Sequence, residues 1–281
     1  MDGAEDAAYE AAGKLLLEIS FDGTDYSGWQ YQPHCISVQE VLEKHLTRLF
    51  AGLPIHLAGS SRTDAGVHAC GSAASFAIPG RPYIPIAQLR YALNRQLPLS
   101  IRIRNIIEVP LAFNARFDAK GKAYTYVLNL GEEHPFTGRY SWHLRKHMPD
   151  VDKIRQAAQH LVGTHDFSSF VVERSQIDNA VRTIYRIDIQ EFGQYICMTF
   201  VGNGFLYKMI RCLAGALEAV GSGKIQPDDI KTILEAKQRT LAPETAPAHG
   251  LFLMKVFYDE EMLHQYRLKQ LPFYQGVINP E

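Results

Sequence analysis

Short apolar runs alternate with helically spaced apolar residues in the first part of the chain. Leu15 to Phe21 is a dense apolar run, which predicts a buried strand. Ser37 and Glu40 have the spacing of a helix-capping pair, and apolar residues then recur every three or four positions. The predicted elements are, in order, a strand at 15–21, a helix from 38 that Gly52 ends, strands at 55–58 and 73–78, a helix at 85–97 and a strand at 101–109. Their order is βαββαβ.

The rest of the chain repeats this order loosely. The predicted elements are, in order, a strand at 122–130, a helix at 151–162, strands at 181–190 and 195–201, a helix at 205–220, an extra helix at 227–237 and a strand at 251–257. Two such units predict an α+β fold of two ferredoxin-like βαββαβ halves. Their sheets would join into one broad, mostly antiparallel sheet, with helices on one face and a central cleft. We place the halves at 14–112 and 113–260, with an N-terminal extension at 1–13 and an unpatterned tail at 261–281.

The predicted loop between the strands at 55–58 and 73–78 concentrates groups that can do chemistry. It contains the run SSRTDAGVHAC. Turn geometry accounts for an aspartate and a glycine in this run, but not for Arg62. Arg62 stands two residues before Asp64 and can hold that carboxylate ionised, because a nearby opposite charge favours the charged form. The other interpretation is a charged surface turn, and periodicity does not decide between the two.

Three stretches resemble segments of a known family. The run GSSRTDAGVHA resembles the signature of the TruA family of tRNA pseudouridine synthases, in which the aspartate of R-T-D-A-G-V-H-A is catalytic. The stretches FNARFDAKGKAYTYVL and GFLYKMIRCLAG resemble two further segments of that family. The likeness extends from about Leu15 to Tyr258. It implies the pseudouridine synthase fold, isomerisation of uridine to pseudouridine in the anticodon stem-loop of tRNA, and a homodimer.

The resemblance implies roles for four residues. Asp64 is expected to be the catalytic nucleophile. Burial disfavours an ionised carboxylate, so Asp64 needs a cationic partner, and both Arg62 and Arg211 are candidates. The resemblance gives the pairing role to Arg211, and Arg62 is then expected to contact the RNA. Tyr124 is expected to stack on the target base, an interaction that contributes roughly 1–3 kcal/mol per base.

Three more residues match the family's segments in other ways. Arg116 and Lys122 stand at basic positions and are candidate phosphate contacts, although the family often has arginine where this chain has Lys122. His68 belongs to the signature, and we expect it to tie the loop to backbone groups with no acid–base role.

The charge distribution limits where RNA can bind. The net charge is −1, but Asp2, Glu5, Asp6 and Glu10 contribute −4 in a segment without lysine or arginine, so the rest of the chain carries +3. Phosphate contacts dominate the affinity of proteins for nucleic acids, so an RNA site must be a local basic patch. Candidate residues for that patch, outside the family segments, are Arg81, Arg90, Arg95, Arg139, Arg145 and Lys146.

Composition disfavours several other classes of protein. Hydrophobic residues make up 46%, as in ordinary globular proteins, and no apolar run approaches the ~20 residues that span a membrane. The acidic N-terminus lacks the basic region of a secretory signal, and four scattered cysteines predict a reduced, cytoplasmic setting. No nucleotide-binding, dinucleotide-binding or zinc-protease motif occurs, and uridine isomerisation requires no net redox change. We therefore expect no cofactor, no metal and no membrane partner.

Two other functions remain open from sequence alone. The first is a non-catalytic RNA-binding protein built from two ferredoxin-like units. The presence of Asp64 with Tyr124 and Arg211 argues against it, because a binder gains nothing from a buried carboxylate beside anionic RNA. The second is an enzyme that hydrolyses or exchanges the base, which product analysis distinguishes from isomerisation.

Overall fold

A computed structural model describes residues 13–79, 84–145, 148–172 and 179–274. The extension at 1–12, Arg81 and Lys146 lie outside the described residues. The helices and strands are, in chain order, β1 (Gly13–Phe21), α1 (Val38–Leu49), β2 (Ala58–Gly59), β3 (His68–Ile78), α2 (Ile86–Gln96), β4 (Ile101–Val109), β5 (Gly121–Asn129), β6 (Trp142–His143), α3 (Val151–Gln159), β7 (Gly163–Asp166), β8 (Val181–Phe192), β9 (Tyr195–Gly202), α4 (Met209–Gly221), α5 (Asp229–Ala236), β10 (Leu251–Phe257) and α6 (Glu260–Gln265).

The described strands form one sheet of ten, ordered β4-β1-β3-β10-β5-β9-β8-β7, with β2 beside β3 and β6 beside β5. Pairing is antiparallel except at β3–β10 and β5–β6. In each half the first strand lies between the last two: β1 lies between β3 and β4, and β5 lies between β9 and β10. This arrangement confirms the predicted α+β fold of two ferredoxin-like halves sharing one mostly antiparallel sheet.

The two halves meet along one edge of β3. The first residues of β3 pair in parallel with β10, as Phe252 opposite His68 and Leu253 opposite Ala69. Farther along the same strand, β2 pairs with β3, as Ala58 opposite Ser75. The loop between β2 and β3 therefore begins inside the first half and ends at the border with the second half, where β3 pairs with β10.

Local sequence explains the elements nearest this junction. Ser37 accepts a hydrogen bond from the Glu40 backbone N–H at 3.2 Å, which caps α1 as the spacing predicted. On β5, Tyr124, Tyr126 and Leu128 share one face and enter the main core beneath the helices. The intervening residues of β5 face the other side of the sheet, so both faces of this strand are buried.

Three predicted element boundaries near the site were wrong. The strand at 55–58 is reduced to the two residues of β2, and β3 begins at His68 rather than at position 73. The early start of β3 comes from backbone pairing to β1 and β10, which the small side chains of this stretch do not signal. The helix predicted from position 205 begins at Met209, because Lys208 has a left-handed backbone with φ of 57°.

The tail from 261 onward has more structure than the sequence predicted. Asp259 caps α6 by accepting a hydrogen bond from the Met262 backbone N–H at 2.8 Å. Residues after α6 cover the sheet face away from the other helices, where the Phe273 ring lies 6.2 Å from the Phe252 ring. The expectation that helices cover only one face is therefore wrong for α6.

Candidate active site

The loop between β2 and β3 is supported by the turn that follows β1. The Trp29 backbone N–H donates to the Thr63 carbonyl at 3.2 Å, and the Gly66 N–H donates to the Tyr26 carbonyl at 3.3 Å. The turn approaches so closely that a Cβ atom on Gly28 would lie 2.4 Å from the Thr63 oxygen. Only glycine allows this approach, because Gly28 also has φ of +89°. The turn therefore fixes the positions of Thr63 and Gly66, which stand on either side of Asp64.

Asp64 and Arg211 form an ion pair between the two halves. The Arg211 guanidinium donates to the Asp64 carboxylate with an N···O distance of 2.8 Å, and the two side chains are only 15% and 11% exposed. Arg211 lies in the first turn of α4, and its Nε also donates to the Ala246 carbonyl at 2.8 Å. A hydrogen bond between two charged groups is among the stronger ones in proteins, and this one lies where little water reaches it.

Arg62 does not share this role. Its side chain is exposed, and within the described ranges it makes no ion pair with Asp64 or any other carboxylate. Of the two cations considered for Asp64, the structure selects Arg211. Arg62 is left pointing outward, two residues before Asp64 in the same loop.

Tyr124 lies next to the ion pair. Its ring is 8% exposed and meets the Phe205 ring edge-on, with 5.4 Å between centroids. Burial, with a further contribution from the Asp64 charge, raises the pKa of Tyr124 to about 12. The phenol is therefore neutral at physiological pH. Tyr124 therefore places an aromatic ring and a neutral hydroxyl group beside the Asp64 carboxylate.

His68 connects the loop to both halves. Its Nδ1 lies 3.1 Å from the Gly23 nitrogen and from an Asp22 carboxylate oxygen. Its Nε2 lies 3.0 Å from the Arg139 carbonyl and 3.2 Å from the His249 carbonyl. The contacts agree with the structural role expected for His68.

Asp22 is the partner of His68 that the sequence did not single out. Burial acts to raise the pKa of Asp22, but hydrogen bonds to His68, Thr24 and Tyr140 outweigh burial and lower it. The Tyr140 hydroxyl donates to Asp22 at 2.8 Å, so the carboxylate joins the turn after β1 to the second half.

The predicted basic residues that the structure describes differ in their surroundings. Lys122 lies close to the loop, since its ammonium donates to the Ser60 carbonyl at 2.7 Å. Arg145 is paired with Glu133 at 3.1 Å, as ordinary surface charges are. Exposed side chains are found at Arg90, Arg95, Arg116 and Arg139.

The described part of the chain has no metal cluster, disulfide or membrane-spanning helix. It contains no cluster of three or more histidine, cysteine or acidic residues suited to hold a metal ion. All four cysteines are free thiols. None of the described helices has the length and apolar character needed to cross a bilayer.

Comparison with known proteins identifies the family. The family model described as tRNA pseudouridine synthase matches residues 19–118 and 157–259. The tRNA pseudouridine synthase A of Exiguobacterium sibiricum is 48% identical over 88% of this chain and 97% of its own length. Those of Bacillus subtilis and Geobacillus kaustophilus are each 42% identical, over 88% and 89% of this chain and 99% and 96% of their own lengths. A solved Cbf5-Nop10-Gar1 complex aligns with 85% of this chain and 58% of that chain at 12% identity, with a TM-score of 0.33 that supports no conclusion. The matched ranges contain Asp64 and Arg211, and the chain belongs to the tRNA pseudouridine synthase family.

Proposed function

We propose that this enzyme converts uridine to pseudouridine in the anticodon arm of tRNA, with Asp64 as the nucleophile. The observation that carries the proposal is the shielded Asp64–Arg211 ion pair beside Tyr124. In the reaction the bond from the sugar C1′ to uracil N1 breaks, a bond from C1′ to C5 forms, and the C5 proton is lost while N1 gains one. The net change is an isomerisation, so no oxidant or second substrate is consumed.

Each chemical route for this rearrangement uses an ionised carboxylate at the sugar or the base. Asp64 can attack C1′, attack the base, or assist elimination to a glycal, and nucleophilic catalysis by carboxylates is well suited to the first two. Arg211 holds the Asp64 carboxylate in place through their hydrogen bond, in a site with limited water. Tyr124 supplies the ring on which the uracil stacks.

The target base must leave its stacked position to reach Asp64. Extruding a base costs a few kcal/mol, which contacts to the RNA backbone offset. Arg62 is exposed beside Asp64, and we assign it a contact to the RNA at the entrance of the site. The site is composite, because the segments at 14–112 and 113–260 each contribute essential groups.

Three further points of the proposal rest on the family resemblance. They are the anticodon arm as target, a homodimer as the active form, and the cytoplasm as the place of action, with which four free thiols agree. Mapping the modified positions in tRNA tests the first, and sedimentation equilibrium at micromolar protein tests the second. Modification confined to another arm of tRNA would refute the anticodon arm as target. A monomer that turns over at full rate would refute the homodimer as the active form.

The decisive assay measures release of tritium from C5-labelled uridine in tRNA. The wild-type protein should release tritium, and Asp64→Asn should release none while unfolding at the same temperature. Asp25→Asn is the matched control, since it makes the same change at an exposed aspartate in the neighbouring turn. Turnover by Asp64→Asn would exclude Asp64 as nucleophile. A product of unchanged mass without free uracil distinguishes isomerisation from base hydrolysis.

A further inference from the structure

Residues 242–249 form a segment, here called the strap, that lies against Arg211. Ala246 bonds to this arginine twice. Its N–H donates to the Arg211 backbone carbonyl at 3.1 Å, and its carbonyl accepts from the Arg211 Nε at 2.8 Å. The Nη1 of the same guanidinium donates to the Asp64 carboxylate at 2.8 Å. Because the guanidinium is planar, fixing its Nε also fixes the direction of Nη1. The position of the strap therefore decides how Arg211 meets Asp64.

The strap also reaches the loop that carries Asp64. The His249 carbonyl lies 3.2 Å from the His68 Nε2, at the end of that loop. A Cβ atom added at Gly66 would lie 3.5 Å from the Ala248 Cβ, so the strap passes close to the loop here as well. One segment of chain thus supports both members of the ion pair.

A single arginine clasps the strap. Residues 242–247 belong to no helix or strand, so no regular backbone pattern sets their path. Instead the Arg239 Nη1 donates to the carbonyls of Ala242 and Pro243, at 2.9 and 3.0 Å. The Nη2 of the same group donates to the Thr245 hydroxyl at 3.0 Å. Since the guanidinium presents these donors in a rigid plane, the three bonds define the path of the strap just before its contacts with α4.

The clasped part of the strap is joined directly to α4. The Thr245 hydroxyl lies 3.4 Å from the Cys212 Sγ, and Cys212 follows Arg211 on that helix. Because the hydroxyl oxygen accepts from a guanidinium, its own hydrogen is available to the sulfur. One turn later, a Cβ atom on Gly215 would lie 2.1 Å from the Glu244 carbonyl oxygen, so only glycine lets the strap lie this close to α4. The strap is therefore fixed against the helix that carries the ion-paired arginine.

The contacts of Arg239 assign it to the strap. Within the described residues no carboxylate forms an ion pair with Arg239, and its guanidinium donates to oxygen atoms of the strap. We propose that Arg239 is a positioning residue for the reaction, which clasps the strap and thereby holds the Arg211 guanidinium against Asp64. The inference rests on the proposed function for the part that Asp64 plays in turnover. The clasp and its effect on the ion pair do not depend on that function.

The first test measures how strongly Asp64 and Arg211 stabilise one another. Urea denaturation of Asp64→Asn, Arg211→Met and the double variant gives the coupling free energy of the pair, once in the wild-type protein and once in an Arg239→Met background. Without the clasp the two groups should meet less well, so the coupling should fall to about half or less. A coupling that is the same in both backgrounds would overturn the inference.

The second test separates turnover from binding. Arg239→Met should lower kcat for tritium release about ten- to a hundredfold, while the affinity for tRNA and its salt dependence stay unchanged in filter binding. Arg239→Lys keeps the charge but not the planar fork, so it should lose nearly as much kcat. Normal kcat with weaker, less salt-dependent binding would identify Arg239 as a phosphate contact and overturn the inference. If kcat and affinity both fall, the coupling measurement decides.

Thr245→Val is a milder variant that keeps the shape of the side chain and removes the hydroxyl that Arg239 and Cys212 share. Its kcat should fall about three- to tenfold, as expected for the loss of one hydrogen bond. Thr245→Ser retains the hydroxyl and should restore kcat. Equal kcat in the two variants would contradict the clasp.

Arg267→Met is the matched control. Arg267 is exposed in the segment after α6, and its Nη1 donates to the carbonyls of His264 and Tyr266 at 2.9 and 2.8 Å. The substitution removes an arginine that also bonds to nearby carbonyls, and it should leave both kcat and the Asp64–Arg211 coupling unchanged. Losses equal to those of Arg239→Met would show a general effect of removing an arginine and overturn the inference.

Two results separate this inference from the proposed function. If the wild-type protein releases tritium and Arg239→Met retains both kcat and the coupling, the clasp alone is refuted. If the wild-type protein releases no tritium, the proposed function fails, and urea denaturation still reports whether Arg239 sets the strength of the ion pair.

Discussion

Replacing Gly28 by alanine tests how strongly the turn after β1 controls the position of Asp64. The new Cβ would lie 2.4 Å from the Thr63 carbonyl oxygen, and Cβ atoms essentially never approach other heavy atoms within 3.0 Å. The loop must therefore move away by about 0.6 Å or more. Overpacking of this kind lowers the free energy of unfolding by about 1–3 kcal/mol. A displacement of this order next to the nucleophile should reduce kcat/KM by about ten- to a hundredfold, because misplacement by 1 Å can cost about a hundredfold.

Gly52 provides a control for backbone strain. It has the same φ of +89°, but a Cβ added there meets nothing within 4 Å. Gly52→Ala should thus show only the cost of a left-handed alanine, about 1–2 kcal/mol, with normal kcat. The measurements are urea denaturation for the free energy of unfolding and tritium release for kcat and KM.

The comparison between the two variants isolates the contact with Thr63. Gly28→Ala should be less stable than Gly52→Ala by the overpacking cost, and only Gly28→Ala should lose kcat. Equal stability and equal turnover in both variants would refute the claim that the turn fixes the catalytic loop. Loss of stability without loss of turnover would show that the loop relaxes in a direction that leaves Asp64 in place.

Three further predictions concern other contacts of the site. Arg211→Met should lower the free energy of unfolding, measured by urea denaturation, by about 3–5 kcal/mol, because it leaves the Asp64 carboxylate shielded from water and unpaired. The double variant with Asp64→Asn should lose less stability than the sum of the two single variants, and additive losses would contradict a coupled pair. Tyr124→Phe should bind target tRNA like the wild type, whereas Tyr124→Ala should bind about 5- to 150-fold more weakly in filter binding; equal affinities of all three proteins would count against stacking. Burial acts to raise the pKa of Asp22, but hydrogen bonds to His68 and Thr24 have the larger effect, so the pKa is lowered in the folded protein. The ionised Asp22 carboxylate therefore stabilises the fold above the unfolded carboxyl pKa near 3.8, and this stabilisation is lost as the pH falls below that value. The stability difference between wild type and Asp22→Asn should consequently shrink below pH 4, and a constant difference from pH 7 to pH 2 would contradict this assignment.

Elements with strong local signals were predictable from the sequence. The strands at Ile101–Val109 and Leu251–Phe257 have the predicted bounds, because dense β-branched and aromatic residues mark them. The start of α1 followed from the capping serine. The bounds of β2 and β3 did not follow, since backbone pairing to distant strands sets them and leaves no periodic mark on His68 to Gly71.

The site was predictable only in part. Asp64 stood out in its loop, but Arg211 is 147 residues away along the chain. The sequence predicts that the two residues pair only through its resemblance to the family. Asp22 gave no signal, because a single aspartate in a turn after a strand is ordinary. Its hydrogen bond to Tyr140 joins residues 118 positions apart, which periodicity cannot supply.

The position of β10 has a consequence for biosynthesis. Of the strands that the structure describes, β10 is the last to be synthesised, and it lies between β3 and β5, so the two halves of the described sheet share no paired strands until residues 251–257 have left the ribosome. The strand that joins the two halves of the sheet is therefore synthesised after both Asp64 and Arg211, so neither member of the ion pair belongs to the segment that completes the sheet.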